Sequence, residues 1–293
     1  MRIFVTGASG YVGSAAVKDM LAAGHEVTGL VRSDEGEAKV RALGAMPLRG
    51  DIADVDGLRR AAERADAVAH LAFNHDFTRF AENGREDAAA IAAMGEALAG
   101  TDKPLVTTSG LGLIRDGELL TEDVQRGDEP SAPRVSEAAT LKLLDQGVKA
   151  MVVRLPQVNG PNNHGFVPMV IQNARAKGYA AYIGNGANRW PAGYRDSVAQ
   201  VYRLAIEKGT AGRTYHAVGE EGVTMHDLMT AIAEGAGLPL RSIPPEEADA
   251  YYGWFAMFAR MDNPSSSAIT QAELGWRPTG PTTLESLRHE GYF

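Results

Sequence analysis

The stretch "VTGASGYVGS" at residues 5–14 decides the fold class of this chain. It follows a short apolar run and places three glycines, Gly7, Gly10 and Gly13, three residues apart. Between a strand and a helix, this spacing is typical of a turn that binds a dinucleotide pyrophosphate. The first glycine turns the chain, the second lets the backbone approach the phosphates, and the third lets the helix pack on the sheet. The N–H groups and positive end of the helix near Tyr11 would face the phosphates, with Ser9 and Val12 beside them. The alternative is a purely structural turn.

The first half of the chain alternates apolar strand patterns with helical patterns. That alternation predicts a Rossmann-type, doubly wound parallel sheet. After Pro156 the regularity fades, and we expect a dinucleotide-binding domain over 1–160 and a smaller substrate lobe over 161–293, from which the chain could cross back to the sheet. Two short strands, Ala180–Ile183 and Thr214–Val218, are expected in this part of the chain. The predicted strands of the sheet are Arg2–Val5, Glu26–Val31, Met46–Leu48, Ala67–Leu71, Leu105–Thr108 and Ala150–Arg154, and the helices are Tyr11–Ala23, Ser33–Leu43, Val55–Arg64, Asp87–Leu98 and Val135–Gln146.

Composition excludes several classes of protein. The 293 residues are 44% hydrophobic and 23% charged with a formal net charge of −8, which disfavours nucleic acid as the main partner. There is no cysteine, so disulfides and thiolate sites are excluded. Apolar runs fall short of the ~18 residues of a membrane span, and the N-terminal residues lack a secretory pattern. We expect a cytoplasmic protein, and no histidine spacing indicates a metal site.

The end of the second predicted strand indicates which dinucleotide is bound. A site specific for NAD places Asp or Glu there, on the ribose 2′-hydroxyl. This chain has Val31 followed by Arg32, which can pair with a 2′-phosphate, whereas Asp34 and Glu35 come too late. The sequence therefore favours NADP over NAD, unless Arg32 is only a solvated surface residue.

Further segments resemble the extended short-chain dehydrogenase/reductase family, which includes sugar-nucleotide epimerases, dehydratases and reductases. They are "GDIAD" at 50–54, "HLAF" at 70–73, "VTTSG" at 106–110, "RLPQVNGP" at 154–161 and "GNGANRWPAGYRDSVAQVYRLAIEKG" at 184–209. The resemblance implies that Asp51 and Ile52 bracket the adenine. It also implies that Leu71 and Ala72 line the adenosine ribose and phosphates.

The active-site motif of that family is not retained. The resemblance places Gly110 where the family has its serine, with Ser109 beside it, and in "PRVSEAATLKLL" it places Pro133 and Glu137 at the tyrosine and lysine positions. No tyrosine occurs between Gly13 and Lys177. Glu137 could accept hydrogen bonds from the nicotinamide ribose, or it could be a solvated residue near a helix N-terminus.

Two residues are candidates for replacement proton donors, and a third could close over the substrate. His75 follows the fourth strand, and Asp76 or a backbone carbonyl could fix its tautomer. Tyr194 lies where the family often has a histidine, and His164 lies in a loop that could close over substrate. For each, the alternative is an ordinary loop or core residue.

The segment "EEADAYYGWFAMFARM" carries apolar residues at helical spacing on two faces. One face, which includes Tyr251 and Phe255, is predicted to be core. Trp254, Met257 and Met261 fall on the other, which would suit a lid over a hydrophobic substrate or a contact in a homodimer, although core packing explains it too.

These observations favour an NADPH-dependent oxidoreductase that reduces a small carbonyl-like or related unsaturated compound. The alternatives are a non-catalytic NADP-binding redox sensor and a sugar-nucleotide epimerase or dehydratase.

Overall fold

The computed structural model describes residues 1–112, 116–125, 135–163 and 165–293. Within these ranges the strands are β1 Arg2–Thr6, β2 Glu26–Val31, β3 Met46–Arg49, β4 Ala67–His70, β5 Pro104–Gly110, β6 Lys149–Leu155, β7 Gln157–Asn159, β8 Ala180–Ile183, β9 Arg189–Tyr194, β10 Thr214–His216, β11 Glu220–Thr224 and β12 Leu240–Ile243. The helices are α1 Tyr11–Ala22, α2 Asp34–Ala42, α3 Val55–Arg64, α4 Phe80–Leu98, α5 Ser136–Lys142, α6 Phe166–Lys177, α7 Arg195–Lys208, α8 Met225–Ala236, α9 Ala248–Tyr252, α10 Ala256–Arg260, α11 Ala268–Leu274 and α12 Thr283–His289.

The main sheet confirms the predicted Rossmann-type fold. Its order is β10-β6-β5-β4-β1-β2-β3, and every pairing in it is parallel. The chain order reverses between β1 and β4, where open parallel sheets bind ligands at their carboxyl ends. Helices α1 and α7 bury one face of the sheet, while α3, α4 and α5 bury the other.

The smaller lobe has its own core, built on α6, α8, β9 and the segment 243–259. Two small sheets, β11-β9-β7 and β12-β8, belong to it. The chain does cross back to the main sheet, through α7 and β10: the strand predicted at Thr214 is β10, and it pairs with β6. None of the helices in the described ranges has the length and apolar character to cross a membrane.

The segment 248–261 is not one continuous helix. Gly253 adopts φ +58°, a left-handed conformation that ends α9, and a 3-10 turn over Gly253–Phe255 leads into α10. Tyr251 and Phe255 are buried as predicted. Of the second face, Met261 is 7% exposed and so packs in the core, whereas Trp254 and Met257 are 55% and 50% exposed.

Candidate active site

The glycine turn is shaped by contacts that exclude side chains. Gly7 has φ +67°, and a Cβ atom there would lie 2.7 Å from the backbone nitrogen of Ala72. A Cβ at Gly13 would lie 2.0 Å from the Gly7 carbonyl oxygen, so the third glycine packs the helix against the turn itself. Gly10 precedes α1 without a side-chain cap, and the first turn of α1 carries no acidic residue. The start of α1 therefore suits an anion.

Two cations lie near the end of the second strand and the glycine turn. Arg32 follows β2 with its side chain 72% exposed, and one guanidinium nitrogen lies 3.8 Å from the Asp51 carboxylate. Lys39, on α2, donates from Nζ to the carbonyl oxygen of Ser9 at 2.6 Å. A Cβ at Gly36 would lie 3.3 Å from Ser9 Oγ, which shows how closely α2 approaches the turn. Sequence reasoning missed Lys39, although its place within the predicted helix 33–43 was a usable signal.

The remaining residues expected along the cofactor follow the same edge of the sheet. Asp51 accepts a hydrogen bond from the backbone N–H of Ala53, and Ile52 is 8% exposed within the core. Leu71 donates its N–H to the Thr6 carbonyl oxygen, and the Ala72 N–H donates to Thr6 Oγ1 at 3.1 Å. Their cofactor contacts stay predictions, but the fold aligns them with the glycine turn.

Tyr11 connects the turn to the loop that follows β7. Its hydroxyl is buried and has no hydrogen-bond partner in the described residues, and burial raises its pKa. The Arg195 guanidinium lies over the ring at 5.2 Å. Gly160 has φ +139°, and a Cβ there would lie 2.9 Å from the Tyr11 hydroxyl. The loop thus closes directly over the first residue of α1, while the neighbouring Val12 packs against the core.

A buried hydrogen-bond chain lies beneath the glycine turn. The His70 ring contacts Thr6 Oγ1 at 2.7 Å through Nδ1 and Asp87 Oδ1 at 2.9 Å through Nε2. The Ser136 hydroxyl donates to the other Asp87 oxygen at 2.5 Å. These groups join β1, β4, α4 and α5, so the chain fixes the start of α5 relative to the turn.

Glu137 forms a buried ion pair. It is 1% exposed, and its two carboxylate oxygens accept from Nη2 of Arg154 at 2.5 Å and from Nε at 3.0 Å. The alternative of a solvated helical glutamate is therefore wrong, because α5 packs this residue onto β6. That Glu137 accepts hydrogen bonds from the nicotinamide ribose stays a prediction. Its carboxylate would have to do so while it is paired with Arg154.

Arg154 extends this pair into a larger polar group. It also contacts His216 Nε2 at 3.1 Å and donates to the Val124 carbonyl oxygen at 2.9 Å. His216 Nδ1 faces the Ser266 carbonyl oxygen at 2.8 Å and so carries the proton, leaving Nε2 as acceptor. Burial, then the nearby guanidinium, lowers the pKa of His216 to about 3, so its ring is neutral at pH 7.

Ser109 lies in register with Arg154 on the neighbouring strand. Its hydroxyl is fully buried and has no hydrogen-bond partner in the part of the chain that the structure describes. An unsatisfied buried hydroxyl is costly, and at the carboxyl end of β5 it points to a group that binds there.

The two candidate proton donors lie in different surroundings. His75 is exposed on the loop after β4 and packs edge-on against Phe73, with ring centroids 5.3 Å apart. Asp76 accepts from the N–H and hydroxyl of Thr78, which lower its pKa. Buried Asn83 donates to two backbone carbonyls of this loop and so holds its shape.

Tyr194 lies at the end of β9, away from the β4 loop in sequence but beside Gly160. Its hydroxyl donates to Glu290 at 2.8 Å, and burial together with this bond raises its pKa to about 12. That environment opposes proton release near pH 7. His164 and Pro133 lie outside the described residues.

The structure thus brings the glycine turn, two cations and an unsatisfied hydroxyl to one edge of the parallel sheet. This arrangement can hold a phosphorylated dinucleotide along β2, β1 and β5. Among the described residues, no group of three or more His, Asp or Glu side chains is placed to hold a metal ion.

Comparison with known proteins agrees with this geometry. The model of the RmlD substrate binding domain family matches residues 1–274. Uncharacterized protein C2A9.02 of Schizosaccharomyces pombe is 45% identical over the full length of both chains. The 2-alkyl-3-oxoalkanoate reductase of Stenotrophomonas maltophilia is 28% identical, with 82% of this chain and 77% of the relative covered.

Solved structures show the same architecture. The UDP-glucose 4-epimerase of Thermus thermophilus in complex with NAD has a TM-score of 0.73 and 25% identity, covering 99% of this chain and 97% of its own. The chain therefore belongs to the RmlD substrate binding domain family. This family is part of the extended short-chain dehydrogenases/reductases, the group that contains the NAD-dependent epimerases and dehydratases.

Proposed function

We propose that this protein is an NADP(H)-dependent reductase of a carbonyl compound. The observation that carries the cofactor choice is the pair of cations, Arg32 after β2 and Lys39 against Ser9, where an NAD site would present a carboxylate to the ribose 2′-hydroxyl. Two cations in this region favour a 2′-phosphate, which adds negative charge and acceptor oxygens. The relative named 2-alkyl-3-oxoalkanoate reductase supports reduction of a carbonyl group.

The residues present fit such a cofactor. The glycine turn is tightly packed, because a Cβ at Gly7 or Gly13 would collide with backbone, and the uncapped start of α1 beside it suits a pyrophosphate. The unsatisfied Ser109 hydroxyl lies at the end of β5, where it can donate to the ribose or to the substrate oxygen. When bound, the reduced nicotinamide supplies a hydride to the carbonyl carbon, and a proton completes the secondary alcohol.

Proton delivery must differ from that of a Tyr–Lys pair. The position of the lysine is held by Glu137, whose charge is neutralised by Arg154, so no cation there lowers the pKa of a phenol. We propose His75 as the donor, because an imidazole exchanges protons near pH 7 without such tuning. Tyr194 is the rival donor, and its bond to Glu290 counts against it.

The cofactor assignment is tested by the affinities of NADPH and NADH, measured by calorimetry. We expect the unaltered protein to bind NADPH more tightly than NADH. Arg32→Ala and Lys39→Met should each lower the affinity for NADPH about tenfold, the scale of one charge-assisted hydrogen bond, and should change the affinity for NADH little. Lys103→Met is the matched control, because Lys103 also donates to a backbone carbonyl, at Glu63, far from the turn.

Equal affinities in the unaltered protein would refute the NADP assignment. The reductase assignment is tested separately, by NADPH oxidation with a panel of ketones and 3-oxo esters. Tight NADPH binding without oxidation across that panel would favour the alternative of an NADP-binding sensor.

A further inference from the structure

An exposed apolar face lies on the smaller lobe. We define the 254–258 ridge as Trp254, Met257 and Phe258, which share one side of the segment that ends in α10. Trp254 is 55% exposed and Met257 is 50% exposed, whereas Phe258 is partly buried. The Trp254 and Phe258 ring centroids lie 6.2 Å apart, so the two rings form one continuous surface.

The lobe core supports this surface from below. Phe166, the first residue of α6, packs against Phe255 and Phe258 with centroids 4.9 Å away in each case. The Trp190 indole donates to the Phe258 carbonyl oxygen at 3.2 Å. The ridge is therefore packed on the lobe core, and its exposed side chains do not belong to a frayed helix end.

Two residues next to the ridge, Met261 and Phe166, lie beside segments that lead to the candidate active site. Met261 follows α10, and its Cε lies 3.6 Å from where a Cβ of Gly112 would be, two residues beyond β5. Phe166 follows the loop that closes over Tyr11 through Gly160. The residues that flank the ridge thus adjoin the segments that follow β5 and β7, at the edge of the sheet where the cofactor is expected.

The charges around the ridge do not suit a diphosphate. Arg189 pairs with Asp262 at 2.9 Å, and Arg260 pairs with Asp249 at 2.9 Å. These flanking guanidinium groups already have carboxylate partners, so a phosphorylated ligand would meet negative charge beside each of them. The face is therefore better suited to an uncharged, apolar group.

The size of the face also indicates its occupant. Trp254 and Met257 together expose on the order of 200 Å² of side chain, judged from the area that large side chains bury. A stable subunit contact needs about 800 Å² on each partner, so these two residues alone are too small a surface for one. An alkyl, isoprenoid or aryl substituent matches them better.

We propose that the 254–258 ridge binds an apolar substituent of the carbonyl substrate and so selects ketones with long hydrocarbon chains. This inference rests on the proposed reductase function and adds its substrate class. The reaction remains a two-electron reduction in which NADPH is oxidised and the ketone gains one hydride and one proton.

The test compares 2-alkanones from 2-butanone to 2-nonanone as substrates for NADPH oxidation. Burial of each methylene predicts a rise in kcat/KM of about fourfold per carbon until the ridge is covered. In the double variant Trp254→Ala/Met257→Ser, we expect the kcat/KM for 2-nonanone divided by the kcat/KM for 2-butanone to fall at least tenfold. Met46→Ser is the matched control, because Met46 is 68% exposed on β3 and should leave that ratio unchanged.

A binding measurement separates this inference from the proposed function. Of the three tryptophans, Trp190 and Trp276 are 2% and 1% exposed, so quenching by acrylamide reports mainly on Trp254. We expect 2-nonanone to protect the NADPH-loaded protein from quenching, and Trp254→Phe to abolish the signal. Protection without turnover would refute the reductase function but support the ridge as an apolar site.

Two results would overturn the inference. One is an unchanged chain-length ratio in the double variant together with no protection from acrylamide. The other is a change from dimer to monomer in the double variant, by light scattering, with the ratio unaltered, which would identify the ridge as a subunit contact.

Discussion

The ion pair between Glu137 and Arg154 yields the sharpest prediction from this structure. Arg154 is fully buried and Glu137 is 1% exposed, and the two join through a bidentate contact. Glu137→Gln keeps the size of the side chain but removes the charge. The guanidinium would then have only uncharged partners, namely the amide oxygen at position 137, the Val124 carbonyl and the neutral His216 ring.

Breaking a buried pair by removing one partner costs about 3–5 kcal/mol, because it leaves an uncompensated charge in the interior. For a chain of this size, the melting temperature should fall on the order of 5–15 °C. The free energy of unfolding is measured by urea denaturation. Glu37→Gln provides the control, since Glu37 pairs with Arg41 at the surface and its loss should cost about 0.5 kcal/mol or less.

The double variant Glu137→Leu/Arg154→Met removes both charges and should recover most of the lost stability. NADPH affinity is measured alongside. The reasoning would be refuted if Glu137→Gln lowered the free energy of unfolding by less than about 1 kcal/mol but lowered the affinity for NADPH tenfold. The carboxylate would then bind the ribose rather than stabilise the fold.

The remaining predictions concern single residues. Below about pH 6.5, His216 is protonated in the unfolded chain but not in the folded protein, where its pKa is about 3. The free energy of unfolding should therefore fall as the pH is lowered toward 3, by up to about 1.4 kcal/mol per pH unit. His216→Gln should reduce this slope when unfolding is followed as a function of pH. Ser109→Ala should leave the urea midpoint of unfolding unchanged or raise it, because it removes an unsatisfied hydroxyl. It should also weaken NADPH binding or lower turnover. If NADPH affinity and turnover are both unchanged, Ser109 has no binding role. His75→Asn should lower kcat ~10²-fold or more while the affinity for NADPH is retained. If His75→Asn turns over normally and Tyr194→Phe is inactive, proton transfer is assigned to the tyrosine. Gly13→Ala should abolish NADPH binding in a titration, because its Cβ would meet the Gly7 carbonyl oxygen; retained affinity would contradict the tight turn.

Local patterns predicted several elements of both the first domain and the smaller lobe. The strands Glu26–Val31 and Ala180–Ile183 and the helix Val55–Arg64 have the predicted bounds, because their hydrophobic periods end at clear turn residues. Helix α4 begins at Phe80 rather than at Asp87, since the preceding turn continues without a strong capping break. The break at Gly253 was missed because the apolar spacing runs through it, and only the left-handed backbone ends α9.

By itself, the sequence determined the parallel fold, the glycine turn and the absence of a tyrosine between Gly13 and Lys177, because these depend on residue types and short spacings. Tertiary structure decided which charged groups meet. Glu137 and Arg154 are 17 residues apart and Arg154 and His216 are 62 apart, and packing of α5 and β10 against β6 brings them together. The exposure of Trp254 beside a buried Phe255 was likewise decided by packing, since either face of an apolar segment can turn toward the core.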